Sequence, residues 1–293
     1  MMRRGIPTPV ALWLFVALAL GACAPVATPT ATPAPTPTPA PSPTPPPPTP
    51  TPTATPVPPT PTPVAPEELR RPAANGLDTV AQRLSAPPKL DGDLSDWPGF
   101  PCYTLDKPEQ IGYGEVAKWG GPEDLSGSFC WGWDDRALYL AVEVRDEALR
   151  AFAKGNFWEN DYVELWVDAN LPKDFDVAKN DGDDFQFGFM PGNFKDVQAR
   201  ATVFVPGVPP SKLRQIQIAF VPIKGGYRGE IQIPWAVFGE ALDLKAKRLG
   251  VALSFSDCDG DKPAQEMMIS TAPKSIAQWG NPTLWNNLDL AEK

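Results

Sequence analysis

The stretch FWENDYVELWVD, residues 157–168, places two tryptophans among four acidic side chains. An indole ring can hold the apolar C–H face of a sugar, while carboxylates and amides bond the sugar hydroxyl groups. Trp158 precedes the alternating part of the stretch, and Glu164 falls on the face opposite Val163 and Leu165. Trp158 and Glu164 therefore have the residue types that a sugar site requires, and we take them as candidates. The alternative is that Trp158 covers a sheet edge and Glu164 is a solvated strand residue.

The C-terminal segment offers further aromatic rings for such a site. There, Trp279 and Trp285 are flanked by glycine and asparagine, a composition that suits sugar hydroxyl groups. Gln186 is a weaker candidate for the rim of the site, because it is the polar residue between Phe185 and Phe187. Each candidate has a structural alternative. Either tryptophan can pack under the final strand, and Gln186 can lie on a solvated strand face.

An acidic loop near the C-terminal end predicts a calcium site. Asp257, Asp259 and Asp261 offer the hard oxygen ligands that calcium prefers. Similar acidic clusters occur at residues 180–184 and 91–96, and none of the three has the EF-hand spacing. We name Asp257, Asp259 and Asp261 as candidate calcium ligands and keep the other clusters as alternatives. Asp and Gly are also good turn formers, so the same loops can exist without a metal.

The composition excludes several classes of function. Histidine is absent from the 293 residues, which removes Ser-His-Asp and Cys-His catalysis and His-ligated zinc or haem. The formal net charge of −9 argues against nucleic acid as a partner. Paired carboxylates could still form a glycosidase site from Glu159, Asp161 and Glu164. Because Glu159 precedes the strand, we expect binding and no catalysis.

The elements that must position these residues are short strands. Apolar and polar residues alternate with a period of two in runs at 138–145, 162–168, 185–189, 201–205, 215–220, 230–233 and 251–256. Gly, Pro, Asp or Asn punctuates most of the gaps. Many half-buried strands without long helices between them predict an all-β, antiparallel β-sandwich. Short helices are expected only around residues 147–154 and 235–242.

The N-terminal residues predict export and a lipid anchor. Residues 1–22 combine a basic start with a short apolar run, as in a signal peptide. The run ends in Leu20-Gly21-Ala22-Cys23, which resembles a bacterial lipobox. Cys23 is therefore the predicted lipidation site, and the membrane is reached through the lipid alone. The alternative is a plain secretory signal with an incidental cysteine. Both alternatives place the protein outside the cytoplasm.

Residues 23–75 follow as a linker that is almost entirely Pro, Thr, Ala and Val up to residue 66. Such a composition predicts a disordered, semi-rigid spacer, and residues 76–293 remain for one sizeable domain. With Cys23 lipidated, Cys102, Cys130 and Cys258 allow one intramolecular disulfide, and spacing does not say which pair forms it.

Several motifs in order resemble the family 9 carbohydrate-binding modules of the DOMON-like superfamily. They are LDGDLSDW at 90–97, WDDRALYL at 133–140, WENDYVE at 158–164, EIQIPW at 230–235 and SDCDGD at 256–261, followed by Trp279 and Leu288-Asp289-Leu290. The resemblance covers roughly residues 86–292. It implies a β-sandwich whose sugar site is built by a tryptophan pair, often with structural calcium. It also implies site roles for Trp158 and Glu164.

The resemblance leaves other functions open. Some DOMON-like domains bind haem through methionine and lysine, and Met190, Met267 and Met268 are available here. We place haem binding, with a surface adhesion or scaffold role, behind carbohydrate binding. The prediction is a non-catalytic module that binds a polysaccharide or oligosaccharide at the cell surface. Family members are attached to secreted polysaccharide-degrading enzymes, so a secreted enzyme partner is conceivable and stays unidentified.

Overall fold

The computed structural model describes residues 77–97, 99–277 and 280–292. The predicted signal peptide, the predicted lipidation site Cys23 and the whole predicted linker lie outside these residues, as does Trp279. Within the described residues, no helix has both the length and the apolar character needed to cross a membrane.

The described residues form short strands with very little helix. The strands are β1 Thr79–Arg83, β2 Cys102–Leu105, β3 Ile111–Tyr113, β4 Leu125–Trp133, β5 Ala137–Asp146, β6 Tyr162–Asp168, β7 Asp184–Met190, β8 Arg200–Val205, β9 Gln217–Ile223, β10 Gly226–Pro234, β11 Arg248–Asp257, β12 Met267–Ser270 and β13 Asn286–Ala291. The helices are α1 Leu171–Asp174, α2 Pro210–Leu213 and α3 Pro273–Ala277. The all-β prediction is confirmed, and each alternating run lies wholly or mostly in a strand.

The helix predicted at residues 147–154 is wrong. These residues form a loop, because the backbone N–H groups of Arg150 and Phe152 bond to the side chains of Asp161 and Asn160. Residues 235–242 hold two short 3-10 helices, Trp235–Val237 and Gly239–Ala241.

The strands form one hydrogen-bonded path that folds back on itself as a sandwich. Its order is β8-β7-β6-β11-β13-β1-β4-β5-β10-β9, with β12 on β11, β3 on β12 and β2 on β4. Buried side chains of β4, β5 and β10 share one hydrophobic core with those of β6, β7 and β11. A Cβ on Gly127 of β4 would lie 2.4 Å from the ring of Phe255 in β11, so glycine is required where the two halves meet.

The pairing differs from the prediction at one strand. Every other neighbour pair among the described residues is antiparallel, whereas β1 runs parallel to both β13 and β4. β1 therefore joins the two halves of the sheet.

The two faces of β6 explain how the sequence positions the site. Val163, Leu165 and Val167 point into the shared core, as their alternation predicts. Tyr162 and Trp166, on the opposite face, are also buried, because they pack in a second cluster with residues of β12, α3 and the segment before β13. Around Tyr162 and Trp166, the outer face of β6 is therefore covered by other parts of the domain.

A disulfide joins β2 to β4. Cys102 bonds Cys130, and Cys258 is free and buried. Closing a loop with a sequence separation of 28 stabilises the fold by roughly 3 kcal/mol.

Candidate functional site

A pocket of about 590 Å³ opens on the outer face of β6, β7 and β8. Five side chains line it: Trp158, Tyr162, Glu164, Gln186 and Phe204. It brings together three residues that the sequence predicted, Trp158, Glu164 and Gln186, from the loop before β6, from β6 and from β7. The other two, Tyr162 and Phe204, were not predicted.

Strand register builds the floor of the pocket. Glu164 of β6 lies opposite Gly188 of β7, and Gly188 lies opposite Thr202 of β8. A Cβ on Gly188 would come within 2.7 Å of the Phe157 ring and 2.9 Å of the Phe204 ring. Glycine at position 188 therefore lets both rings lie directly on the sheet.

Trp158 is the exposed aromatic side chain at this pocket. Its side chain is 46% exposed, and its ring centroid lies 6.2 Å from that of Phe204. The 3-10 helix Phe157–Glu159 holds it, with the side chain of Asn160 donating to the carbonyls of Asn156 and Phe157 at 2.8 and 3.0 Å. An exposed ring on a braced turn suits stacking against an apolar ligand face.

Glu164 is the polar centre of the pocket. Oε2 accepts hydrogen bonds from Tyr162 Oη and Gln186 Nε2, and Oε1 accepts one from Trp166 Nε1, each at 2.9 Å. A carboxylate has about four acceptor positions, so about one is left for a ligand hydroxyl. Burial raises the pKa of Glu164, and these hydrogen bonds act against that rise. With only 4% of its surface exposed, Glu164 is not the solvated strand residue that we considered as the alternative.

The structure corrects the prediction for Trp285. This side chain is fully buried, its Nε1 donates to Ser275 Oγ at 2.6 Å, and its ring centroid lies 5.6 Å from that of Trp166. No face of its ring is open for stacking. Trp279 lies outside the described residues, so its role stays a prediction. Its neighbour Gly280 lies beside Trp166, where a Cβ would come within 3.1 Å of the indole ring.

A cluster of carboxylates lies at the base of the loop that carries Trp158. Oxygens of Asp146, Asp161 and Asp257 lie within 4.8 Å of one another, and all three residues are buried. Asp259 joins the same cluster through Asp146 and through Asp124. We call Asp146, Asp161, Asp257 and Asp259 the carboxylate cluster. Two of its members, Asp257 and Asp259, were predicted metal ligands.

The third predicted ligand, Asp261, is not part of this cluster. Its side chain is 99% exposed and lies 3.6 Å from the guanidinium group of Arg150. Because the loop after Asp259 turns outward, Asp261 cannot share a buried ion with Asp257.

The electrostatics of the carboxylate cluster favour a cation. Burial and the neighbouring carboxylates Asp259 and Asp146 raise the pKa of Asp257 to about 8. Burial, followed by Asp146, raises the pKa of Asp161 well above its ordinary value. Among the described residues, Asp257 Oδ1 and Asp259 Oδ1 are buried without a hydrogen-bond partner. Unpaired buried carboxylate oxygens are costly unless a metal or a proton neutralises them.

The buried side chain of Tyr227 also supports a cation at the carboxylate cluster. Tyr227 Oη is fully buried and has no hydrogen-bond partner among the described residues. Burial is the main cause of the raised pKa of Tyr227, and the charges of Asp146, Asp161 and Asp257 raise it further. An oxygen-rich, anionic and incompletely bonded set of this kind fits calcium.

The two alternative acidic clusters bond mainly to groups of the protein itself, and Asn180 Oδ1 is the atom of residues 180–184 that is buried without a hydrogen-bond partner among the described residues. Near residues 180–184, Lys173 Nζ lies 2.7 Å from Asp181 and 3.1 Å from Asp183. The ammonium group of Lys173 therefore already offsets the negative charge of this cluster. At residues 91–96 the aspartates cap backbone N–H groups of their own turn, as Asp91 does for Asp93 at 2.9 Å. Turn formation therefore accounts for the third cluster.

The residues considered for other functions lie in different environments. Met190, Met267 and Met268 are buried within the hydrophobic clusters, where methionine commonly fills gaps. Glu159 accepts a hydrogen bond from the backbone of Asn156 and caps its own turn. Glu159 and Glu164 therefore do not face each other across the pocket.

The fold has solved relatives among sugar-binding domains. A family 9 carbohydrate-binding module from Caldicellulosiruptor kristjanssonii, solved with cellotriose, has a TM-score of 0.55 and 19% identity, over 73% of this chain and 94% of that one. The same kind of module from that organism, solved with glucose, has a TM-score of 0.54 and 19% identity, over 73% of this chain and 97% of that one. At this identity, the likeness establishes the sandwich fold. A comparison with curated proteins finds no match.

The family itself is established by sequence. The model described as "Carbohydrate family 9 binding domain-like" matches residues 106–293, which is more than half of the chain. The chain therefore belongs to carbohydrate-binding module family 9.

Proposed function

We propose that this domain binds carbohydrate in the pocket of Trp158, Tyr162, Glu164, Gln186 and Phe204, and that it does so without catalysis. The observation that carries the proposal is an exposed indole ring beside a buried, hydrogen-bonded carboxylate in one pocket. This pairing matches the two kinds of surface that a sugar presents.

In this proposal the apolar face of a sugar ring lies on Trp158, with Phe204 beside it. Hydroxyl groups of the sugar bond the remaining acceptor position of Glu164 and the amide of Gln186. Trp279, which lies outside the described residues, is the proposed second platform.

We propose calcium as a structural ion of this domain. Asp146, Asp161, Asp257 and Asp259 would hold it. Oxygens of the first three lie within 4.8 Å of one another, and Asp259 comes within that distance of Asp146 and of Asp257. The unpartnered oxygens of Asp257 and Asp259 support this assignment.

We further propose display at the cell surface through a lipid on Cys23 and the Pro/Thr-rich stalk. The lipobox-like sequence supports the anchor, and the Cys102–Cys130 disulfide is of the kind that persists in oxidising compartments. Replacing Cys23 with Ala should release the protein from the membrane fraction. Retention of C23A in that fraction would contradict the proposed anchor.

Calorimetric titration of the purified chain with glucose, cellotriose and a panel of other oligosaccharides, in calcium, tests the binding proposal. Binding by the wild type and loss of binding in Trp158→Ala would support it. Tyr113→Ala is the matched control, because Tyr113 is an exposed aromatic outside the pocket. Failure to bind any sugar would overturn the proposal and favour an adhesion or scaffold role.

A further inference from the structure

The loop that carries Trp158 begins and ends at the carboxylate cluster. Residues 147–161 connect β5 to β6, with Asp146 directly before the loop and Asp161 at its last position. Both aspartates are buried and belong to one triad with Asp257. The base of the loop is therefore a place where negative charges converge.

Asp161 makes most of the contacts at this base. Its Oδ2 accepts a hydrogen bond from the backbone N–H of Arg150, and its own N–H donates to the Arg150 carbonyl at 3.0 Å. Its Oδ1 accepts from the backbone N–H of Cys258 at 2.7 Å. Asp161 thus ties the loop to itself and to the segment that follows β11.

Both neighbours of Asp161 act on the sugar pocket. Asn160 braces the turn of Trp158 and also accepts a hydrogen bond from the backbone of Phe152. Tyr162 donates to Glu164 in the pocket. A shift of Asp161 would therefore move both the aromatic platform and one of the donors that hold the polar centre.

Burial raises the pKa of Asp146 and Asp259, and the charge of Arg150 in the loop opposes that rise. Among the described residues, however, the ion pair of Arg150 is with Asp261, outside the cluster. Arg150 is the loop's basic residue near the cluster, and its guanidinium group bonds the carbonyl of Asp259 and lies beside Asp261. The contrasting cluster at Asp181 and Asp183 contains Lys173. Tyr227 Oη adds a buried oxygen without a partner among the described residues.

We infer that a divalent cation held by the carboxylate cluster sets the conformation of loop 147–161, and through it the affinity of the Trp158 pocket for sugar. Without the cation, the two ends of the loop lose the ion that joins Asp146 and Asp161 to Asp257, and the platform loses its fixed position. The effect on affinity rests on the proposed function, whereas the effect on the loop does not.

Two measurements on the full chain separate these effects. Calorimetry measures cellotriose affinity in calcium and in excess chelator, and hydrogen exchange compares loop 147–161 with the core strand segment 138–144. We expect chelation to raise exchange selectively in the loop and to weaken cellotriose binding at least tenfold. Asp257→Asn should reproduce both effects in the presence of calcium, because it removes an anionic ligand of the cation and leaves the hydrogen bonds of Asp161 in place. Asp183→Asn, from the cluster that holds Lys173, is the matched control.

Several results would overturn the inference. They are absence of calcium binding, an unchanged loop after chelation, and exchange that rises equally in the loop and in 138–144, since the last would make the cation a general structural ion. A calcium-responsive loop in a protein that binds no sugar would instead overturn the proposed function and leave the control of the loop standing.

Discussion

Trp97 Nε1 donates a hydrogen bond to Glu230 Oε1 at 2.9 Å in the interior of the domain. The other carboxylate oxygen of Glu230 accepts from the backbone N–H groups of Asp91 and Gly92 at 2.9 and 2.8 Å. Two sequence motifs, LDGDLSDW and EIQIP, are thus one structural unit in which a buried carboxylate holds a loop against β10. Their residues serve the fold and do not line the Trp158 pocket.

Replacing Glu230 with Ala should destabilise the domain by about 3 kcal/mol or more, because three donors, two of them in buried hydrogen bonds, lose a charged acceptor. Trp97→Phe removes one of the three hydrogen bonds and should cost less, about 1.5–3 kcal/mol. Urea denaturation measures both. Equal stability of Glu230→Ala and wild type would show that the loop is held by other contacts.

Trp158→Ala should weaken sugar binding at least tenfold, which corresponds to about 1.4 kcal/mol, and leave the melting temperature nearly unchanged. The reason is that Trp158 is 46% exposed and packs mainly against the edge of the pocket. Calorimetry and thermal denaturation check the two halves of the prediction. A large loss of stability would show instead that Trp158 supports the fold.

Gly188→Ala should weaken sugar binding, because the added methyl group pushes Phe157 and Phe204 away from the sheet. Gly182→Ala is the matched control, since a Cβ there meets no atom within 4 Å. Calorimetric titration of both variants is the measurement. Unchanged binding by Gly188→Ala would mean that the ligand does not depend on the position of these rings.

Sugar binding should weaken on acidification at a higher pH than an exposed glutamate would produce, because burial raises the pKa of Glu164. The contribution of Glu164 to stability has the opposite sign. Between its ordinary and raised pKa the unfolded chain has lost the proton that the folded chain keeps, so stability falls as pH rises through that interval. Titrations and urea denaturation from about pH 4 to about pH 8 test both trends. Glu164→Gln should remove both the pH dependence of binding and the pH dependence of stability. If either trend persists in that variant, another group causes it.

Calcium should raise the melting temperature relative to chelator. At a free concentration 100-fold above Kd, the stabilisation is about 2.7 kcal/mol, or roughly 5–10 °C for a domain of this size. Asp257→Asn should abolish most of this rise, whereas Asp261→Asn should keep it, because Asp261 is exposed. Thermal denaturation of the wild type and both variants, with calcium and with chelator, is the measurement. An equal rise in melting temperature for Asp257→Asn and Asp261→Asn would show that the ion binds elsewhere.

Alternation along single strands made much of the fold predictable. Val163, Leu165 and Val167 needed only local pattern to be assigned to the core, and the same pattern put Glu164 on the other face. Trp158 could be singled out because it lies just outside the alternation. These are local properties of the chain, and a sequence displays them directly.

The missed features depend on pairing between distant segments. Phe204 reaches the pocket because β8 lies beside β7, and the alternating run 201–205 does not indicate which strand it pairs with. The carboxylate cluster forms because Tyr162 pairs with Ser256, which brings Asp161 close to Asp257. Trp285 is buried because Ser275 of α3 covers it, a contact that glycine and asparagine neighbours do not indicate.

The parallel pairing of β1 on both sides has a mechanical consequence. Residues 79–82 bond β13 and residues 81–83 bond β4, so one strand carries two ladders. Under the proposed anchoring, tension from the cell surface enters the domain at residue 77 and runs along β1. The hydrogen bonds of both ladders then bear the load together in shear. β1, the strand that joins the two halves of the sheet, therefore also resists unfolding of the domain when its anchor is pulled.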